Sequence, residues 1–150
     1  MKTVISAFSL VVAFTVCGMV IAESGITLEG IKCVVSGAAI DKSKSVDYLD
    51  GKTYFCCGKC SKKFEDDSKP FAMKANAQLV ATNQYEQGAC PFSGGDIKED
   101  TMIEVAGAKV GFCCNNCKGK VEKMNDEEKL TAVFSKEAFA KAKFAKIEKK

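Results

Sequence analysis

The segment YFCCGKC at residues 54–60 returns as GFCCNNC at residues 111–117, a shift of 57 positions. A further cysteine precedes each segment, Cys33 in the first copy and Cys90 in the second, so both copies read C-x22-C-C-x2-C. Four cysteines that coincide at the same spacing define an internal repeat, which predicts two similar modules in tandem. The eight cysteines of the repeat are Cys33, Cys56, Cys57, Cys60, Cys90, Cys113, Cys114 and Cys117.

A β-hairpin is predicted directly before the double cysteine of each copy. In the first copy, residues 46–49 and 53–55 are rich in strand-forming side chains and flank the Asp-Gly turn at residues 50–51. In the second copy, residues 102–105 and 109–112 flank an Ala-Gly-Ala segment in the same way. The second strand of each hairpin therefore runs straight into the double cysteine.

A helix is predicted after each double cysteine. Cys57, Cys60 and Phe64 fall at positions i, i+3 and i+7, which places them on one face of a helix. Cys114 and Cys117 repeat this spacing. Each module is thus expected to contain a loop with one cysteine, a hairpin, and a helix whose first turn carries the others. The predicted fold class is α+β, with two small tandem treble-clef-like modules and a C-terminal amphipathic helix.

The predicted organisation has four segments. Residues 1–22 read as a signal peptide, the two modules occupy residues 25–81 and 82–134, and residues 135–150 form a Lys-rich C-terminal helix. The second module begins with residues 82–88, a polar and turn-like segment that is predicted to be a linker. Each module holds about 55 residues, so it buries little apolar surface and is expected to need a metal, a disulfide or a partner for stability.

Two capped helices are predicted after the cysteines of the second module. The sequence Asn-Asp-Glu-Glu at residues 125–128 is typical of the start of a short helix. Ser135 is expected to cap another helix that continues to Ile147, with Phe134 and Phe139 as a hydrophobic staple. The apolar stripe and lysine-rich remainder of this helix favour docking on the modules over binding to a membrane or a partner.

The N-terminal segment predicts export. Lys2 is followed by an uncharged run, residues 3–22, which ends in a small-x-small pattern before Glu23. Cleavage would release a periplasmic or secreted protein with no later span apolar enough to cross a membrane. The run is also about long enough to span a bilayer, so retention as an uncleaved anchor is the alternative.

Composition excludes several functional classes. After removal of residues 1–22, whose one charged side chain is Lys2, 21 basic and 19 acidic residues remain. That near-balance argues against nucleic acid as a partner, because nucleic-acid-binding domains carry a basic patch or stripe. The chain contains no histidine, so no imidazole can act as a base or a metal ligand. We therefore predict a protein that is not an enzyme.

The repeated cysteines favour metal binding. Thiolates suit Zn(II) and Cu(I), and four thiols per module predict about one ion per module. In each module one cysteine comes from a loop and the others from the start of a helix, and this separation of the ligands along the chain is typical of treble-clef zinc modules. Adjacent cysteines cannot easily face the same ion, so the expected set in each module is three thiols, with Cys57 or Cys114 either a fourth ligand or a separate buried thiol. The expected sets are Cys33, Cys56 and Cys60, and Cys90, Cys113 and Cys117. A three-thiolate site would favour Cu(I), and a four-thiolate site Zn(II).

Two other interpretations of the repeated cysteines remain open. An exported chain with an even cysteine count is also typical of a disulfide-stapled interaction module without metal, although the adjacent pair crowds two bridges into a small unit. The C-x-x-C motifs at residues 57–60 and 114–117, each at a helix start, also suit a thiol–disulfide oxidoreductase. No βαβ pattern surrounds either motif, so this third reading is the weakest.

Several motifs resemble the YHS/TRASH family of small metal-associated domains. These motifs are CVVSGAAI at residues 33–40, CPFSGGDI at 90–97, YFCCGKCSKKF at 54–64 and FCCNNC at 112–117. The resemblance covers over half of the chain after residue 22. It implies a treble-clef-like fold and a role in heavy-metal sensing, trafficking or storage, with a metal transporter or another exported protein as a partner.

The chain departs from this family in two ways. The histidine that is common in the YHS form is missing. Ser36 and Ser93 stand where related knuckles carry a second cysteine. The resemblance therefore leaves Cys57 and Cys114 as the possible substitutes for the missing ligands.

Overall fold

The computed structural model describes residues 25–148 and has a mixed α+β fold. The described part contains three two-stranded antiparallel sheets and five α-helices. The predicted signal peptide at residues 1–22 lies outside the described residues, as do the last two residues of the predicted C-terminal helix. Within the described part, no helix is both long enough and apolar enough to cross a membrane.

The first copy of the repeat forms a hairpin followed by a helix, as predicted. Strand β1 (Asp41–Tyr48) pairs with β2 (Gly51–Phe55), and helix α1 (Gly58–Asp66) begins just after the double cysteine. Tyr48 pairs with Gly51, so the turn consists of the two residues between them and lies one residue earlier than predicted. The first of these turn residues, Leu49, has φ of 50°.

The second copy repeats this arrangement. Strand β4 (Lys98–Val105) pairs with β5 (Ala108–Phe112), and helix α3 (Asn115–Glu122) follows. Both turn residues, Ala106 and Gly107, have positive φ, which is the conformation that two-residue hairpin turns favour. The repeat in the sequence is therefore also a repeat in structure.

A helix that the sequence analysis did not predict lies between the two copies. A short 3-10 turn (Lys69–Phe71) leads into helix α2 (Ala72–Ala81). All six residues from Ala75 to Val80 are buried, so this helix is covered on more than one side. It contacts both hairpins and the helix at residues 126–134.

Two groups of buried residues form the interior. The first, which we call the first-module cluster, has five members: Cys33, Val34, Phe55, Phe64 and Ala75. The second, which we call the main cluster, has sixteen members and is built from α2, the second hairpin and all later helices. It extends from residue 77 to residue 144, so it includes residues on both sides of the predicted module boundary at 81/82.

The segment at residues 82–88, predicted to be a linker, is partly packed into the interior. Thr82, Gln84 and Tyr85 are buried. Strand β3 (Tyr85–Glu86) pairs with β6 (Ala145–Lys146), so this segment is joined to the C-terminal end of the described chain. Its polar composition is compatible with burial because the side-chain amides and hydroxyls form hydrogen bonds with the backbone.

The C-terminal helices agree only partly with the prediction. Helix α4 (Asp126–Phe134) begins at the predicted cap, where Asn125 and Glu128 form a capping box, and Ser135 caps α5 (Lys136–Lys141) as expected. The prediction that α5 continues to residue 147 is wrong. The chain leaves the helix after Lys141 and passes through Lys143, whose φ is 50°, so that Phe144 packs into the main cluster.

Gly111 in β5 gives a test of how tightly the second module is packed. An added Cβ would overlap Cγ2 of Ile97 and come within 2.7 Å of Met102 Sδ. We expect Gly111→Ala to lower the free energy of unfolding by about 1–3 kcal/mol, because overpacking forces neighbours out of their rotamers. Gly119→Ala is the control, since nothing lies within 4 Å of its Cβ position in α3. It should stabilise by about 0.5–1 kcal/mol. Urea unfolding measures both, and equal effects would contradict the packing.

Candidate metal centre

The first cysteine of each module lies in a tight loop. The Cys33 N–H donates to the Ala38 carbonyl, and the Gly37 N–H donates to the Cys33 carbonyl, each at 2.8 Å. Gly37 has φ of 74°, which favours glycine at this position. The loop around Cys90 has the same two hydrogen bonds at residues shifted by 57 positions. Both loops therefore present one cysteine in a closed turn.

The remaining cysteines lie where β2 ends and α1 begins. Cys56 follows the last strand residue, Cys57 is the N-cap residue of α1, and Cys60 lies in its first turn. The Cys60 N–H donates to the Cys57 carbonyl at 3.1 Å. Cys57 is extended, with φ of −163°. The positive end of the helix dipole thus faces the thiols.

Each loop cysteine meets two cysteines of the strand–helix junction. The Sγ atoms of Cys33, Cys56 and Cys60 all lie within 4.8 Å of one another, and so do those of the equivalent second set. The second set is Cys90, Cys113 and Cys117. We call these the first and second cysteine trios. They are the two three-thiol sets that the spacing predicted.

The distances within each trio suit a metal–thiolate site. The Sγ atoms of Cys56 and Cys60 are 3.6 Å apart, and those of Cys113 and Cys117 are 3.8 Å apart. Thiolates bound to Zn(II) at about 2.3 Å in a tetrahedral arrangement are separated by about 3.8 Å. Both trios can therefore hold a metal ion, and the chain is compatible with a pair of small metal-binding modules.

The second cysteine of each adjacent pair lies beside the trio. Cys57 Sγ is 3.7 Å from Cys56 Sγ, and Cys114 Sγ is 3.7 Å from Cys113 Sγ. Neither belongs to the set of mutually close sulfur atoms. The geometry thus brings all four thiols of a module into one neighbourhood and separates three from the fourth.

A serine hydroxyl completes the surroundings of each trio. Ser36 Oγ lies 3.2 Å from Cys56 Sγ, and Ser93 Oγ lies 3.1 Å from Cys113 Sγ. Each hydroxyl also accepts a backbone N–H bond from the residue two positions on. Both serines stand where related knuckles carry a cysteine, as noted from the sequence, but their contact with a trio thiol was not predicted.

The loop thiols ionise more readily than ordinary cysteines. Burial has the largest single effect on Cys33 and raises its pKa, but hydrogen bonds from the Ser36 hydroxyl and nearby backbone N–H groups outweigh it and lower the pKa to about 6. For Cys90 the same opposition between burial and hydrogen bonds, mainly from the Ser93 and Cys113 backbone, leaves a pKa of about 6. Each trio therefore has one thiol that is readily a thiolate.

In each module the pKa values of the two helix cysteines shift in opposite directions. Hydrogen bonds from the Cys60 backbone and from neighbouring thiols lower the pKa of Cys57. Burial and the neighbouring thiols raise the pKa of Cys60 to about 12. Cys114 and Cys117 follow the same pattern, with a lowered pKa and a pKa of about 12 respectively. Thiolates so close repel one another, and a cation between them would offset that repulsion.

Each trio is only partly buried. Cys33 and Cys90 are buried, whereas the strand and helix cysteines of both modules are half-buried. All eight cysteines of residues 25–148 are free thiols in this structure. No protein-family model, curated protein or solved structure matches the chain.

Proposed function

We propose that the protein is an exported heavy-metal-binding protein of the YHS/TRASH type, which holds one Zn(II) or Cu(I) ion in each module for sequestration or handover. The proposed ligands are the two cysteine trios, with Cys57 and Cys114 as additional thiols. The observation that carries the proposal is that three equivalent cysteine sulfur atoms converge in each module. The residues between these cysteines differ widely between the two copies.

The place of Cys57 bears on which ion is bound. A trigonal site made by the trio alone suits Cu(I), whereas recruitment of Cys57 as a fourth thiolate suits Zn(II). Cys57 is close to Cys56 but outside the mutually close set, so binding Zn(II) through four thiolates requires a shift of the Cys57 side chain. A structural zinc site is closed, whereas a free thiol beside a three-thiolate site can exchange the ion.

The proposed location and partners follow from the N-terminal segment. Cleavage after residue 22 would place the modules in the periplasm or outside the cell, where a metal transporter or another exported protein would receive or supply the ion. Two ligands of each trio are half-buried, which suits such an exchange better than a fully enclosed site. The absence of histidine and of a distinctive carboxylate pair supports a binding role over catalysis.

The test is the metal content and free-thiol count of mature protein purified without oxygen from its export compartment. We expect about two ions per chain, with thiols released by chelation. Cys60→Ser and Cys117→Ser should each reduce this to about one ion, because each removes a ligand from one trio. Lys62→Ser is the control on the same helix and should keep about two, because Lys62 is exposed and belongs to neither trio.

Two outcomes would contradict the proposal. If Cys60→Ser and Cys117→Ser left the stoichiometry unchanged, the ligand assignment would be wrong. If the purified protein had neither metal nor free thiols, the modules would be disulfide-stapled, and a role in protein interaction would replace the metal role.

A thiol–disulfide exchange activity is the second candidate. It is favoured by the position of Cys57 at the N-cap of α1, with Cys60 one turn further on, because thioredoxin-type motifs place their reactive cysteine at a helix start. The convergence of a third thiol from a separate loop favours metal binding instead. Turnover in an insulin-reduction assay would favour the oxidoreductase.

A further inference from the structure

We infer that Gln78 and Gln87 are positioning residues for the two metal sites: each clamps the loop that carries the first ligand to the strand that leads to the second. This inference rests on the proposed metal function. It concerns residues that the repeat does not contain, since neither glutamine lies within the repeated cysteine pattern.

In the first module the clamp is the side-chain amide of Gln78, which is buried in α2. Its Oε1 accepts the Tyr54 N–H at 2.7 Å, and its Nε2 donates to the Tyr54 carbonyl at 3.1 Å. The same Nε2 donates to the Lys32 carbonyl at 2.9 Å. Tyr54 lies two residues before Cys56, and Lys32 directly precedes Cys33. One amide thus joins the backbones of both ligand-bearing segments.

In the second module Gln87 makes the same three hydrogen bonds. Its Oε1 accepts the Gly111 N–H at 2.8 Å, and its Nε2 donates to the carbonyls of Gly111 and Ala89 at 2.9 and 2.8 Å. Gly111 and Ala89 are the repeat equivalents of residues 54 and 32, at the same shift of 57 positions. Gly111 lies two residues before Cys113, and Ala89 directly precedes Cys90, as in the first module.

The two glutamines reach these equivalent backbones from different parts of the chain. Gln78 is 24 residues after its strand partner and belongs to α2, whereas Gln87 is 24 residues before its partner and lies just after β3. The same three hydrogen bonds therefore form in both modules, although the two glutamines do not occupy equivalent positions in the repeat. A general need for stability would not require the same three backbone groups each time, whereas a need to set the distance between two ligands would.

The clamp fixes a distance that the cysteines cannot fix for themselves. Lys32 and Tyr54 are 22 positions apart and belong to a loop and a strand. An amide that pairs with both N–H and C=O of one residue acts as a short extra strand on β2 and β5. Three thiolates bind one ion well only if each is placed correctly to within a fraction of an ångström. Movement of the loop relative to the strand would therefore weaken metal binding.

Gln84 provides a matched control. Its amide makes the same paired contact with Lys52, accepting the N–H at 2.7 Å and donating to the carbonyl at 2.7 Å. It is buried, as Gln78 is. Its third bond goes to the Thr82 hydroxyl rather than to a ligand loop. Losing Gln84 should therefore weaken the fold without loosening a trio.

The experiment measures Zn(II) affinity in the full mature chain by competition with a chromophoric chelator. A Cys117→Ser background reports on the first module, and a Cys60→Ser background reports on the second. We expect Gln78→Met to weaken Zn(II) binding by the first module about tenfold or more and to leave the second unchanged. Gln87→Met should have the reverse effect. Gln84→Met should lower the melting temperature while keeping both affinities within about twofold.

The results that would overturn the inference are distinct from those that would overturn the metal function. Equal losses of affinity in Gln78→Met and Gln84→Met, or unchanged affinity in Gln78→Met and Gln87→Met, would reduce the clamps to ordinary stabilising contacts. If Gln78→Met does not fold, Gln87→Met decides, because Gln87 is only half-buried. If the unmodified protein binds no Zn(II) and no Cu(I), the proposed function fails first and the inference fails with it.

Discussion

Removing the metal with a chelator is expected to unfold β1, β2 and α1 while β4, β5 and α3 stay folded. The first-module cluster has five buried members, and one of them, Cys33, is itself a proposed ligand. The second hairpin belongs to the sixteen-member main cluster. In zinc-finger peptides the apparent binding free energy of a structural zinc is about 10–16 kcal/mol, and units of such small cores often cannot fold without it.

Hydrogen exchange of the reduced protein would measure this difference. Backbone amides of β1 and β2 should lose their protection after chelation and regain it when Zn(II) is added, whereas those of β4 and β5 should change much less. A reductant must be present throughout, so that disulfide formation cannot take the place of the metal. Equal loss in both hairpins, or no loss in either, would contradict the dependence of the first module on its ion.

Local sequence signals were sufficient for the parts of the fold closest to the cysteines. The turn residues near positions 50 and 107 and the i, i+3 spacing of the cysteines are short-range features, and they predicted both hairpins and the helix starts. The convergence of Cys33 with Cys56 and Cys60 could be predicted because the same spacing occurs twice, which made a shared site the simplest explanation.

Long-range packing explains what the sequence analysis missed. Helix α2 lacks a polar face over residues 75–80, because it packs between the two modules, and its buried Asn76 and Gln78 obscure the helical hydrophobic pattern. The segment 82–88 looks like a linker because its amides are polar, yet those amides bond to strand backbones distant in sequence. No local pattern indicates such partners.

Long-range packing also explains why α5 ends earlier than predicted. The lysine-rich sequence after Ser135 is compatible with a longer helix, as its apolar spacing suggested. The Gly88 and Ala89 N–H groups donate to the Ala142 carbonyl at 3.2 and 2.8 Å, which anchors the helix end beside the loop of Cys90. Phe144 then stacks on Phe139, with ring centroids 4.6 Å apart. Burial of this aromatic ring outweighs the continuation of a solvated helix.

Leu79→Ala is expected to destabilise both modules together, by about 2–5 kcal/mol. Leu79 is fully buried in α2 and belongs to the main cluster. It also lies directly against the first hairpin, because a Cβ added at Gly51 would come within 2.7 Å of Leu79 Cδ2. Truncation leaves a cavity at the contact between α2 and both halves of the molecule, so the cost should not be confined to one of them.

Leu49→Ala is the matched control for this variant. Leu49 lies in the turn of the first hairpin and is 58% exposed, so the same change in side chain should alter the free energy of unfolding by less than about 0.5 kcal/mol. Thermal unfolding of the metal-loaded protein gives the comparison, and hydrogen exchange locates it. Reduced protection in both β2 and β5 would establish α2 as the element that joins the modules. Loss confined to β5 would mean that the first module is held by its own cluster and its ion, with α2 belonging to the second module alone.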